Sequence, residues 1–262
     1  MGVKIDVPRE CLAACLMTDA ERYTALTEGM QPRAVVEMIN RYFEVIFTPV
    51  LENGGMISDV KGDGLLAVWN YECAGPDFKA RLCHACLAIV RTVDEFNRRD
   101  PSRRLPTRLG VDFGPVAIAR VGARECYEHR AVGDAVNTAS RLEELNKLTK
   151  TRILVSEAFA QGVKGFVFRD LGSFHLRGKR MRTRVRELVC ADDDCDARTS
   201  SLVRDFGYAL AAYDGGEAEE ARRRFHGLLA RSPTDGAVRY YLQRLESEQT
   251  DAPRLRWLGR FW

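Results

Sequence analysis

The sequence predicts an α+β domain, a mostly antiparallel sheet with flanking helices, followed by a small all-α extension. Three observations predict it. Up to residue 190, strand-like and helix-like periodicities alternate irregularly, and hairpin turns join some of the strands. The segment 191–200, ADDDCDARTS, is polar and acidic and interrupts the pattern. Beyond it the periodicity is helical only. The expected organisation is a domain over 1–190, a linker over 191–200 and a helical extension over 201–262.

Each element has a local reason. Residues 11–18, CLAACLMT, are an apolar run ending at Asp19, which suits a buried strand. A helix is expected from about Thr24. The next helix opens at Pro32, a residue suited to a first turn. It repeats Val35, Val36, Ile39, Tyr42, Phe43, Ile46 and Val50 at three- and four-residue steps, and Asn53-Gly54-Gly55 ends it. Residues 56–60 and 65–69 read as a hairpin about Lys61-Gly62-Asp63-Gly64. The stretch 77–98 is helical, with Phe78, Leu82, Cys86, Ile89, Val93 and Phe96 on one face. A second strand pair is expected over 107–113 and 116–121, turning at Gly114-Pro115. Residues 135–145 read as a helix and 152–155 as a strand, with Ser156 capping a further helix. Several more strands follow over 166–188. In the extension, Ala221, Phe225 and Pro233 match the A-x3-F and trailing Pro of a tetratricopeptide repeat, faced by Tyr208, Leu210 and Tyr213, with an extra helix over 238–245. One such repeat cannot bury its own face, so it must pack on the first domain, a second copy or a protein partner.

Composition narrows the class. Hydrophobic residues make up 45% and charged residues 29%, which is globular rather than disordered. Lys+Arg 40 against Asp+Glu 37 leaves +3, too even a balance for a dedicated nucleic-acid binder. The basic stretch Arg177, Lys179, Arg180, Arg182, Arg184 and Arg186 alternates from Arg180 onward, as a strand with one solvated face does. No apolar run approaches the ~18 residues of a membrane span. MGVKIDVPREC carries no apolar signal-peptide core, so the expected location is cytoplasmic, or the cytoplasmic part of a membrane-anchored parent. Eight cysteines without an export signal read as reduced, mostly buried thiols. Cys83-His84-Ala85-Cys86 has a metal-like spacing but no second pair near it, and core packing is the expected role. The tail RLRWLGRFW is expected to dock on the first domain, or to meet a partner or a membrane surface.

Two carboxylates stand out. Asp19 ends an apolar strand, where a charge needs a partner. Asp63 sits in a glycine-flanked turn that another group can approach. Together they suit Mg2+, which takes oxygen ligands and works with substrate phosphates. The plainer reading makes Asp19 a helix cap and Asp63 a turn former. Ala20-Glu21-Arg22-Tyr23-Thr24 runs into a helix whose first N–H groups are open to an anion. Asn137 and Arg141 lie four apart on one helix face, where an amide and a guanidinium suit a sugar and a phosphate. The plainer reading there is a surface Asn and a salt-bridged Arg.

Taken in order, LMTDAERYTAL, MINRYFE, ENGGMISDVKGDGLLAVW, LGVDFGPVAIARVG, YEHRAVGDAVNTASRLEELNK and FHLRGK resemble the class III adenylyl/guanylyl cyclase catalytic domain across roughly residues 11–189. The C-terminal helices resemble the short extension of some bacterial sensor-linked cyclases. The resemblance implies that Asp19, Asp63 and the Ala20 carbonyl hold two Mg2+ or Mn2+ ions. It also implies that Asn137 and Arg141 position the ribose and stabilise the transition state, and that Arg177 binds phosphate. Tyr23 and Thr24, at the turn into a helix, are expected to join the substrate contacts beside those metals. The site would form between two chains of a head-to-tail homodimer, with 122–129 as the dimerisation arm.

Two positions depart from the family's common pattern. Four residues before the second metal aspartate, where many adenylyl cyclases have Lys and guanylyl cyclases Glu, this chain has Asp59. Seven before the Asn, where Asp, Thr or Cys is usual, it has Arg130. Both are expected at the base, reading it directly or pairing with each other. The expected function is conversion of ATP to 3′,5′-cyclic AMP and pyrophosphate. The alternatives are a guanylate cyclase and a catalytically silent nucleotide-binding regulatory module.

Overall fold

The structure is a computed structural model that describes residues 9–123 and 126–250, with the side chains of 120–123, 126–129 and 248–250 excepted. The expected tail over 254–262 lies outside the described residues, and of the expected dimerisation arm only part of the backbone lies within them.

The first domain runs β1 (Arg9–Ala20), α1 (Tyr23–Thr27), α2 (Pro32–Glu52), β2 (Met56–Lys61), β3 (Gly64–Asn70), α3 (Tyr71–Ala74) and α4 (Phe78–Arg99). It continues with β4 (Thr107–Ala123), β5 (Cys126–Val132), α5 (Asp134–Thr149), β6 (Ile153–Ser156), α6 (Glu157–Ala160), β7 (Phe166–Phe174) and β8 (Thr183–Ala191). Then come α7 (Ala197–Asp214), α8 (Ala218–Arg231) and α9 (Gly236–Thr250). The strands form one sheet in the order β2-β3-β1-β4-β6-β8-β7, with β5 also pairing β4. The β4–β6 pair is parallel and the other described pairs are antiparallel.

The two faces of the sheet follow from the two-residue period of the strands. Ala14, Leu16, Leu65, Trp69, Leu109 and Val111 are buried under α2 and α4. Their neighbours Ala13, Cys15, Leu66, Val68 and Val116 face the other way and pack with Ala135 and Ala139 of α5. The α5 backbone rests directly on Gly110. A Cβ there would come within 2.1 Å of the Ala139 carbonyl oxygen and 2.3 Å of the Glu143 nitrogen, so no other residue fits without moving the helix.

The strand pair expected about Gly114-Pro115 is instead a single strand. β4 runs through both residues, opposite Leu12 and Ala13 of β1. On its other side β4 pairs with β6 at 109–111 and with β5 at 117–123. Pro115 falls in the gap, where one side of the strand has no ladder to complete, and a missing N–H is tolerated there. The expected helix near Thr24 is a single turn of 5 residues.

The three C-terminal helices pack on the first domain, the first of the three expected possibilities. Phe206, Leu210, Phe225 and Tyr241 share one buried cluster with Leu142 of α5 and Leu171 of β7. Ala221, Phe225 and Leu210 are buried as expected, whereas Tyr208 is 55% exposed, with Arg224 Cζ 5.9 Å from its ring. The last helix is longer than expected at both ends. Cys11, Cys15, Cys83 and Cys86 are buried, Cys73 is exposed, and Cys190 and Cys195 are half-buried. Burial pushes the Cys83 thiol up to about 12, as befits a core thiol rather than a ligand.

Candidate active site

The β1 strand carries Asp19 to the end of the sheet, and the β2–β3 turn brings Asp63 beside it. The Ala20 N–H donates to Asp63 Oδ2 at 3.1 Å. Burial and the neighbouring Asp19 charge, in that order, push the Asp63 carboxyl above its ordinary range. The register places Asp19 directly opposite Arg108 of β4, and the two form an ion pair. Arg108 Nη1 lies 2.9 Å from Glu21 Oε1, and its Nε donates to Glu143 Oε1 on α5 at 2.8 Å. Asp19 therefore does not cap a helix; its carboxylate faces a buried cation.

Sequence reasoning missed Arg108 and Glu143. The available signal was an Arg inside an apolar strand, TRLGVDF, which needs a carboxylate partner. Among the described residues, no group of three His, Cys, Asp or Glu could hold a metal. Asp19, Asp63 and the Ala20 carbonyl are hard oxygen donors, and two carboxylates with phosphate oxygens completing the shell is the usual way Mg2+ is held. The donors fit a divalent ion.

Tyr23 is half-buried and Thr24 exposed on α1, immediately after this cluster.

A second group lies at β2 and β5. The β2–β3 register shifts between Ile57 and Asp59, and the Ser58 Oγ accepts from the Ala131 N–H at 2.9 Å. That contact sets Asp59 beside Arg130, whose Nη2 is 3.5 Å from Asp59 Oδ2. The two residues expected at the base thus meet each other within one chain.

The third group is on α5. Asn137 is exposed, and Arg141 Nη1 donates to both carboxylate oxygens of Glu144, at 2.8 and 2.9 Å. Asn137 and Arg141 share a face. Arg141 and Glu143 do not, because two residues turn an α-helix by roughly 200°. Glu143 points at Arg108 and, through it, at Asp19, so Arg141 points away from its own chain's Asp19. Arg177 is exposed in the segment between β7 and β8. The structure does not bring Asn137, Arg141 and Arg177 to Asp19 and Asp63 of the same chain.

The basic stretch differs from expectation. The strand begins only at Thr183, and Met181 is 80% exposed. Lys179, Arg184 and Arg186 pair with Asp134, Asp170 and Glu157, so much of the positive charge is matched locally.

Residues 8–187 match the profile of the adenylate and guanylate cyclase catalytic domain. Adenylate cyclase 1 of Rhizobium meliloti (strain 1021) is 34% identical over 178 residues, 66% of this chain and 27% of that protein. The terminal-differentiation specific adenylate cyclase of Dictyostelium discoideum is 26% identical over 236 residues, 87% of this chain and 11% of that protein. The chain thus spans about a quarter or less of these relatives. Among solved structures, the adenylyl cyclase CyaB from P. aeruginosa aligns with a TM-score of 0.63 at 20% identity, covering 72% of this chain and 100% of that one. The guanylyl cyclase Cya2 aligns with a TM-score of 0.63 at 19% identity, covering 72% and 97%. At such identities the structural likeness speaks for the fold.

Proposed function

The chain belongs to the adenylate and guanylate cyclase catalytic-domain family, and on that premise we propose that it is an adenylate cyclase acting as a head-to-tail homodimer with composite sites. The observation that carries this reading is the disposition about α5. One chain holds both halves of a site, yet Arg141 and Asp19 lie on opposite sides of that helix. A second chain, related by a two-fold axis, would present its Asn137, Arg141 and Arg177 to the first chain's Asp19 and Asp63, and the reverse.

The reaction is attack of the ribose 3′-oxygen on the α-phosphorus, with loss of pyrophosphate. Asp19, Asp63 and the Ala20 carbonyl would hold two Mg2+ or Mn2+ ions, which when bound supply Lewis acidity to the hydroxyl and the phosphates. Asn137 orients the ribose by hydrogen bonding. Arg141 leaves Glu144 and offsets charge on the α-phosphoryl group. Arg177 binds the phosphate chain, and the N–H groups at Tyr23 and Thr24 face its other end. No protein nucleophile is needed.

ATP is favoured over GTP by the Asp59–Arg130 pair, 3.5 Å apart. Each group already has a partner, so neither waits for guanine, and adenine is held by shape and backbone groups. The adenylate cyclase names of the relatives agree. No helix among the described residues is long and apolar enough to cross a membrane, and we place this domain in the cytoplasm. Incubating the purified protein with each nucleoside triphosphate and Mn2+, and identifying the product by mass, tests the reading. Cyclic AMP is expected; no cyclic product with any triphosphate would leave a silent regulatory module.

A further inference from the structure

The helical extension lies directly behind two of the cations just assigned to the phosphates. Leu142 follows Arg141 in α5, and Leu176 precedes Arg177. Both leucines are buried, at 0% and 4% exposure, in the cluster that Phe206, Phe225 and Tyr241 of the extension complete. Each cation is therefore next in sequence to a leucine of the cluster that the first domain shares with the extension.

Three contacts fix the extension there. Arg169 of β7 donates through Nε to Glu187 of β8 at 2.7 Å, and through Nη1 to Asp235 in the α8–α9 turn. These side chains are only 10%, 17% and 12% exposed, so the network is a buried one. Tyr241 donates its hydroxyl to the Leu171 carbonyl. Gly236 begins α9 against the end of α5, where a Cβ would lie 2.2 Å from Lys150 Cβ and 2.7 Å from the Thr149 carbonyl oxygen. The metal half is packed otherwise. Ala20 and Leu65, next to Asp19 and near Asp63, belong to the α2–α4 cluster on the opposite face.

We propose that the extension is a positioning element for the α5 half of the site. By backing Leu142 and Leu176 together, it fixes Arg141 and Arg177 relative to each other. Close-packed interiors transmit displacement rather than absorb it. Loosening the extension thus moves both cations, whereas Glu143 stays held in its buried pair with Arg108, so that Asp19 and Asp63 keep their places. The inference rests on the composite site proposed above.

The test uses full-length chains carrying Gly236→Ala, which pushes α9 off α5, and Tyr241→Phe, which removes the hydroxyl at Leu171. Thermal melting with and without Mn2+ reports folding and metal binding. Each variant is then assayed alone, mixed with Asp19→Ala and mixed with Arg141→Ala. The expected loss in kcat is ten- to a hundredfold, on the order of what a misplacement near 1 Å costs, with the Mn2+-induced shift unchanged. Activity should recover on mixing with Asp19→Ala, which supplies an intact α5 half, and not with Arg141→Ala. Wild-type kcat in both folded variants would overturn the inference, as would recovery with Arg141→Ala. If Gly236→Ala does not fold, Tyr241→Phe decides alone. Failure of Asp19→Ala and Arg141→Ala to restore each other would instead sink the composite site itself, and the inference with it.

Discussion

Arg108 and Glu143 form a buried pair, Nε to Oε1 at 2.8 Å, with 9% and 5% of their side chains exposed. The pair ties the strand facing Asp19 to the helix that carries Asn137 and Arg141. Burial pushes the Glu143 carboxyl up, and the Arg108 hydrogen bond opposes that shift.

Removing one member of a buried pair usually costs about 3–5 kcal/mol. Arg108 keeps Asp19 and Glu21 when Glu143 is lost, so Glu143→Ala should fall near the low end, about 3 kcal/mol by urea unfolding. Arg108 should then lean further on Asp19 and compete with the metal. A weaker Mn2+-induced melting shift than wild type is expected; an unchanged shift would show that Glu143 does not govern Asp19.

Asp63 makes an opposite prediction for stability. Burial and, after it, the neighbouring Asp19 charge push the Asp63 carboxyl above its ordinary range. A carboxyl whose folded pKa is raised costs stability when ionised, above that pKa, and the cost vanishes as pH falls below its unfolded value near ~3.9. Asp63→Asn keeps an acceptor for the Ala20 N–H and removes the charge. It should raise the metal-free Tm at pH 7, with no gain at pH 3. The Mn2+-induced shift and the cyclase activity should both be lost. A lower Tm at pH 7 would mean that the charge is not a burden on the fold.

Much of this site could be read in the sequence. An apolar run that stops at Asp19 and a glycine-flanked Asp63 are local patterns, and so is the four-residue step from Asn137 to Arg141. What could not be read depends on register across the sheet. Arg108 meets Asp19 because β1 and β4 pair over 12 residue pairs. Gly114-Pro115 resembles a turn locally, and is a strand because the sheet forks beside it. The docking of α7–α9 needed Leu142 and Leu176 to be recognised as the other half of one apolar surface, and nothing near either residue announces that.

Composite sites predict complementation. Asp19→Ala and Arg141→Ala chains should each be inactive, because each dimer lacks one half of both sites. Mixed and allowed to exchange, they should recover up to ~25% of wild-type activity, since half the dimers are mixed and each of those has one intact site of two under two-fold symmetry. Absence of recovery despite exchange shown by mass would count against shared sites.

The choice of base turns on Asp59 and Arg130. They stand 3.5 Å apart, with 24% and 41% of their side chains exposed. If the pair is a wall of the pocket, its role is indirect, and a half-exposed ion pair contributes ~1 kcal/mol or less. Asp59→Ala should then lower kcat/KM for ATP only about two- to fivefold and leave GTP a poor substrate. If Asp59 instead accepts from the guanine N1–H and amino group while Arg130 donates to O6 or N7, wild type would prefer GTP. The same substitution would then cost ~1–3 kcal/mol of GTP turnover, the scale of one good bidentate base contact. The two cases differ in which substrate suffers and by how much, so kcat/KM for both nucleotides, in both proteins, separates them. We expect the first pattern, because a carboxylate and a guanidinium that already neutralise each other gain less from a base than two groups left waiting. A wild-type kcat/KM for GTP above that for ATP would reverse the assignment.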